Sequence, residues 1–202
     1  MSTPWVQTFT QLAHDIHRLE IPTVVAVDGR SASGKTTFAA RLARALNAPI
    51  VHSDDVACYP RFFDWWPLML EQVIVPFQAG MAIDWKHEPW TAQGRERSIV
   101  VPQSSILILE GVSVSRQELS DWITLPIWME TDPKVAEVRG LERDGPDGYD
   151  FWFEWQASER PFLEHDKPWE RARLIVDGAS TLEHDPETQF VTIKNRLVQP
   201  SP

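Results

Sequence analysis

The run Gly29-Arg30-Ser31-Ala32-Ser33-Gly34-Lys35-Thr36 fits the phosphate-binding pattern G-x-x-x-x-G-K-[ST] at every fixed position. Its glycines let the backbone curl until successive N–H groups point at one anion. Gly29, Ser31, Ala32, Ser33, Gly34, Lys35, Thr36 and Thr37 form the expected cradle. The Lys35 ammonium can reach the β- and γ-phosphates, and the Thr36 hydroxyl can hold Mg²⁺. The flanks agree with this chemistry. Thr23-Val24-Val25-Ala26-Val27 suits a strand buried on both faces, and from Lys35 the sequence turns helical through Phe38, Leu42 and Leu46. Such a helix aims its positive end at the same anion. A bound nucleoside triphosphate is the chemistry implied.

Acidic partners belong at the ends of neighbouring strands. Ile106-Leu107-Ile108-Leu109 is an apolar run closed by Glu110, where a carboxylate can orient Mg²⁺ or its waters. Otherwise Glu110 simply opens an exposed loop. A second strand, Pro49 to His52, runs into Ser53-Asp54-Asp55, and a carboxylate there can accept the proton of an attacking hydroxyl. The alternative for Asp54 and Asp55 is to cap a following helix. Transition-state charge calls for cations, and Arg139 and Arg143 lie four apart on a helix opened by Asp132 and Pro133, sharing a face. They lead into Asp144-Gly145-Pro146-Asp147-Gly148, a hinge for a short lid. Two solvated arginines would be the plainer reading.

The elements that must position these groups follow from periodicity. Short strands at Thr23–Val27, Pro49–His52, Ile106–Leu109, Ile127–Met129 and Leu174–Val176 alternate with helical segments, and Phe190–Ile193 is a candidate last strand. That alternation predicts the α/β class, with a three-layer α/β/α arrangement and a mostly parallel five-stranded sheet. Trp5, Phe9, Leu12, Ile16 and Leu19 recur at helical spacing, predicting one amphipathic first helix, and Asp64 to Phe77 reads as another. At 202 residues, the chain is expected to be one domain over 1–202. Within it, 59–98 is a substrate-side insertion and 139–165 a lid.

The phosphate loop, the Ser53-Asp54-Asp55-Val56 strand end, Glu110-Gly111-Val112 and Met129-Glu130-Thr131-Asp132 followed by Arg139 and Arg143 together resemble the uridine kinase and phosphoribulokinase family. Arg160-Pro161-Phe162 and Ala172-Arg173-Leu174-Ile175-Val176-Asp177-Gly178-Ala179 resemble its late helix and final strand, so the resemblance runs from about Thr23 to Phe190. It implies a P-loop NTPase fold with ATP and Mg²⁺ as cofactors and γ-phosphoryl transfer to a hydroxyl. By the same resemblance Asp54 is the catalytic base, also near the metal. Thr36 and Glu110 serve the metal, and Arg139 and Arg143 serve the nucleotide and lid. Uridine kinases carry a Pro-Val-Tyr-Asp-Phe stretch that helps hold the nucleoside. The nearest match here is Ala82-Ile83-Asp84-Trp85, which keeps the acid and an aromatic but lacks the Tyr. Asp84, Trp85 and Tyr59 are the candidate acceptor contacts. A nucleoside is the first acceptor expected, with sugars and vitamin-like alcohols close behind. The rival reading is a regulatory ATP-binding or ATP-hydrolysing module without an acceptor.

Composition narrows the partners. Lys and Arg total 19 against 29 Asp and Glu, a formal net charge of −10 that repels nucleic acid and anionic lipid. No apolar run approaches the ~20 residues of a membrane span. Cys58 is the single cysteine, so nothing argues for an oxidising compartment, and the basic start of a signal peptide is missing, so the expected location is cytoplasmic. Ten tryptophans are many. Trp65, Trp66, Trp85 and Trp90 crowd the acceptor region, where they fit core packing, stacking on a substrate, or contact with a second copy in a homodimer. His14 and His17 lack metal-ligand spacing, and Cys58 lacks the partners of a nucleophile.

Overall fold

The computed structural model describes residues 3–57, 62–86 and 98–197. Strand β1 (Trp5–Thr8) leads into helix α1 (Phe9–Ile16), and β2 (Thr23–Gly29) is followed by α2 (Lys35–Leu46) and β3 (Ile50–His52). A helix α3 over 66–78 contains a π-helical turn at Leu70–Ile74, and the hairpin strands β4 (Ile83–Lys86) and β5 (Ser98–Val101) come next. Then follow β6 (Ile106–Glu110), β7 (Leu125–Glu130), α4 (Pro133–Asp144), α5 (Tyr149–Asp166), α6 (Pro168–Arg171), β8 (Leu174–Asp177) and β9 (Gln189–Asn195). Among the described residues no helix is long and apolar enough to cross a membrane.

The main sheet has the order β1-β9-β8-β7-β2-β6-β3. It contains seven strands where five were expected. The five parallel strands are those read from the sequence, and β9 and β1 extend the sheet antiparallel beyond β8. The first helix is also shorter than its periodicity suggested. Trp5–Thr8 pairs with β9, Trp5 opposite Thr192, and the helix begins only at Phe9. Thr8 provides the boundary, because its side chain accepts a hydrogen bond from the Gln11 N–H as an N-cap.

Alternation along the central strands builds two cores. Val25, Val27, Ile108 and Ile127 face α1 and α2, where Phe9, Phe38 and Phe190 meet with ring centroids 5.0–5.2 Å apart. Val24, Ala26, Leu107 and Leu109 face the other way, onto Met69, Val73, Ile74 and Phe77 of α3 and onto Ile83, Ile99 and Val101 of the hairpin. All seven residues of β2 and all five of β6 are buried, so the phosphate loop and Glu110 grow from fully enclosed strands.

Candidate active site

Strands β2, β3, β6, β7 and β8 run parallel, so their carboxyl ends lie along one edge of the sheet. At that edge a cleft of about 630 Å³ is lined by Ser31, Ala32, Gly34, Lys35, Thr36 and Thr37 of the loop. Asp54, Glu110, Arg139 and Arg143 line it too. Residues gathered from four separate stretches of sequence thus meet in one space. Gly29 and Ser33 do not line it and instead support the loop from behind. A Cβ on Gly29 would fall 2.7 Å from Ser33 Oγ and 2.8 Å from the Met129 carbonyl, while Thr131 Oγ1 donates to the Ser33 carbonyl at 3.1 Å.

The loop has the shape that its pattern requires. Ala32 and Gly34 both take left-handed backbone conformations (φ 60° and 94°), and Gly34 leads directly into α2. Lys35 is buried, its ammonium donating to the Arg30 carbonyl at 2.7 Å across the mouth of the loop. Beneath it the fully buried Asp28 accepts hydrogen bonds from the N–H groups of Gly29 (2.7 Å), Ser113 (2.9 Å) and Ser115 (2.9 Å), and from the Ser115 hydroxyl (2.7 Å). Burial pushes the Asp28 carboxyl up, against the opposing pull of Ser115, Gly29 and Lys35. Asp28 therefore fixes the 113–115 turn to the base of the phosphate loop. Sequence reading passed over this residue, although an acid at the end of an apolar strand was a signal.

Glu110 is held from two sides. Thr36 Oγ1 donates to Oε1 at 3.1 Å, and His52 Nδ1 lies 2.6 Å from Oε2. The hydrogen bond that His52 donates to Glu110 raises the His52 pKa above its usual 6.5. Burial works to raise Glu110, but His52, Lys35 and Thr36 together hold it below the ordinary 4.5. His52 was not singled out from sequence, because only the strand pairing of β3 with β6, His52 opposite Glu110, brings it there. Asp54 lines the cleft and Asp55 does not. The protein crowding round Asp54, and next the negative charge of Glu110, raise its carboxyl above the usual range. The hydroxyl of Thr36 and the carboxylates of Glu110 and Asp54 are hard oxygen donors of the kind Mg²⁺ prefers. Among the described residues no group of three His, Cys, Asp or Glu side chains could cage a metal unaided.

Arg139 donates to the Gly178 carbonyl at 2.8 Å, and Arg143 forms a two-pronged contact with Asp144, Nε to Oδ1 at 2.6 Å and Nη2 to Oδ2 at 2.9 Å. The helix that carries them is capped as its sequence predicts, Asp132 accepting from the N–H groups of Lys134 and Val135. The cleft also has an aromatic lining, which comes from Phe62 together with Phe151, Trp152 and Trp155 of α5. Phe62 and Trp155 meet edge to face at 5.0 Å. Asp84 is exposed on β4 and Trp85 packs half-buried on the core beneath α3, so neither lines this cleft. Tyr59 lies outside the described residues, as do Cys58 and Trp90.

Solved structures that share this architecture include two described as kinases. One, described as a possible uridine kinase from Bacillus stearothermophilus, matches with a TM-score of 0.58 at 18% identity, over 83% of this chain and 96% of that one. The other, a proposed fructose transport system kinase from a Silicibacter species, matches with a TM-score of 0.57 at 18% identity, over 82% and 95% of the two chains. No family model and no curated protein matches the chain. The fold is uridine kinase-like, a three-layer α/β fold with a mostly parallel central sheet.

Proposed function

We propose that the chain is a kinase that transfers the γ-phosphoryl group of ATP to a hydroxyl of a small molecule. The observation that carries this reading is the convergence of Lys35, Thr36, Glu110, Asp54, Arg139 and Arg143 on one cleft that also has an aromatic lining. The phosphate loop binds the triphosphate, with Lys35 exchanging its contact to the Arg30 carbonyl for phosphate oxygens. Asp54 accepts the proton of the acceptor hydroxyl as its oxygen bonds to the γ-phosphorus. The bond from that phosphorus to the bridging oxygen breaks, and ADP leaves. Arg139 and Arg143 balance the charge spreading over the transferred group. Thr36, Glu110 and Asp54 would hold Mg²⁺, which supplies charge neutralisation between the phosphates. Phe62, Phe151 and Trp155 favour an acceptor with a flat face, a nucleoside first, then a sugar or a vitamin-like alcohol.

The test is a pooled-metabolite incubation with Mg²⁺ and ATP, read by mass spectrometry, beside Lys35→Ala. A phosphorylated product that disappears with Lys35→Ala is expected, since an electrostatic donor of this kind is worth ~10²-fold or more in rate. Slow ATP hydrolysis without any product would favour a regulatory ATP-binding module instead.

A further inference from the structure

Helix α5 turns inward a stripe at helical spacing, buried Trp152, half-buried Trp155, then buried Glu159 and Leu163, steps of three, four and four. Its ends are apolar and packed. Trp152 sits against Gly140, where a Cβ would come within 2.1 Å of the indole, and Leu163 joins Trp128 in the core. The middle is polar, and Glu159 is only 1% exposed. A carboxylate in the centre of a buried stripe breaks the pattern that folds the helix, and such breaks collect at functional positions.

Both polar members of the stripe grip one residue of the phosphate loop. Glu159 Oε1 accepts from the Ser31 N–H at 2.7 Å, while Oε2 accepts from Gln156 Nε2 at 2.6 Å. Trp155 Nε1 donates to Ser31 Oγ at 2.6 Å. Ser31 is thus held by its backbone and its side chain from a helix more than 120 residues away. The same Trp155 lines the cleft and packs on Phe62 and Phe63, with centroids at 5.0 and 5.3 Å.

We propose that Glu159 and Trp155 are positioning residues that clamp Ser31, holding the phosphate loop in its cradle shape before nucleotide arrives and seating the aromatic wall of the acceptor side on it. The clamp acts through preorganisation. A loop already shaped for phosphate loses less freedom when ATP binds, whereas a Ser31 N–H left buried without an acceptor drives the loop to rearrange. The clamp also divides the expected lid. From Trp155 onward α5 is fastened to the loop, so closing motion belongs to the part before it, where Gly145 takes a left-handed conformation (φ 66°). This inference rests on the nucleotide-binding reading of the loop.

The experiment compares wild type with Glu159→Leu, Glu159→Gln and Trp155→Phe. Mg-ATP affinity is measured by calorimetry, exchange of the Ser31 amide hydrogen is followed in the free protein, and thermal unfolding serves as the check on folding. Glu159→Leu should weaken ATP binding ~10-fold or more and release Ser31 protection, while the amides of Val24 to Val27 stay protected. Glu159→Gln retains an acceptor oxygen and should restore both readouts, and Trp155→Phe should cost a few-fold in affinity. If Glu159→Leu fails to fold, Glu159→Gln and Trp155→Phe carry the comparison. Unchanged Ser31 exchange in a folded Glu159→Leu, or unchanged exchange and affinity in Trp155→Phe, overturns the clamp. Released exchange with wild-type ATP affinity overturns its role in binding, and a Glu159→Gln as impaired as Glu159→Leu overturns the acceptor argument. A wild type that protects Ser31 yet binds no ATP overturns the nucleotide reading itself.

Discussion

The Thr36 hydroxyl donates to Glu110 Oε1 across 3.1 Å, joining the first turn of α2 to the end of a strand 74 residues later. The contact brings the two expected metal-serving groups together. Glu110→Gln keeps the shape and loses the charge, so it should weaken Mg²⁺ use by roughly 10–100-fold while leaving ATP recognition largely intact. A Mg²⁺ titration of turnover checks this, with partial rescue by raised Mg²⁺ or by Mn²⁺ as the signature. A titration that superimposes on wild type would make Glu110 purely structural.

Asp54 lines the cleft and its neighbour Asp55 does not. Asp54→Asn should therefore retain ATP binding and lose phosphoryl transfer by about 10²–10⁴-fold, the usual range for a general base. Asp55→Asn should cost far less. Single-turnover transfer to the best acceptor, with ATP affinity measured separately, distinguishes them, and a larger loss at Asp55 would reverse the assignment.

The His52–Glu110 pair makes stability depend on pH. Glu110 holds the His52 pKa above 6.5, so stabilisation from charged His52 is complete below 6.5 and is lost as pH rises through the raised value. Glu110 is held below 4.5, so its contribution is present above 4.5 and is lost as pH falls through the depressed value. The pair therefore contributes most between about 4.5 and 6.5. Lys35, Asp54 and Asp55 bear on the same two groups and are common to wild type and variant. Urea unfolding of wild type and His52→Gln in chelator should show the largest gap inside that window, narrowing above it. A gap independent of pH would mean that His52 acts through packing alone.

Gly111 follows Glu110 with φ 147°, and a Cβ there would lie 1.9 Å from Ser53 Oγ and 2.7 Å from Ser53 Cβ. Gly111→Ala combines backbone strain with displacement of the turn that carries Asp54. It should cost about 1–3 kcal/mol in urea unfolding and lower turnover together with stability. Full stability with full activity would show that the Ser53 turn yields freely.

What the sequence determined by itself was local. The phosphate loop, the Asp132 cap and the five parallel strands each depend on residues within a few positions of one another, where glycine conformations, side-chain capping and continuous burial act directly. The gathering of Lys35, Thr36, Asp54 and Glu110 was legible as well, because parallel strands must end at one edge, whereas Arg139 and Arg143 reach the cleft from within α4. Tertiary structure decided the rest. Trp5 to Thr8 carries the spacing of a helix, yet pairing with β9 far along the chain makes it a strand. The aromatic lining of the cleft comes from Phe62 and from Phe151, Trp152 and Trp155 of α5, because the docking of whole elements chose which aromatics face it. His52, Asp28 and Glu159 gain their roles only from partners brought near by that packing. Long-range contacts of this kind depend on how whole elements dock, and short-range propensity carries no record of it.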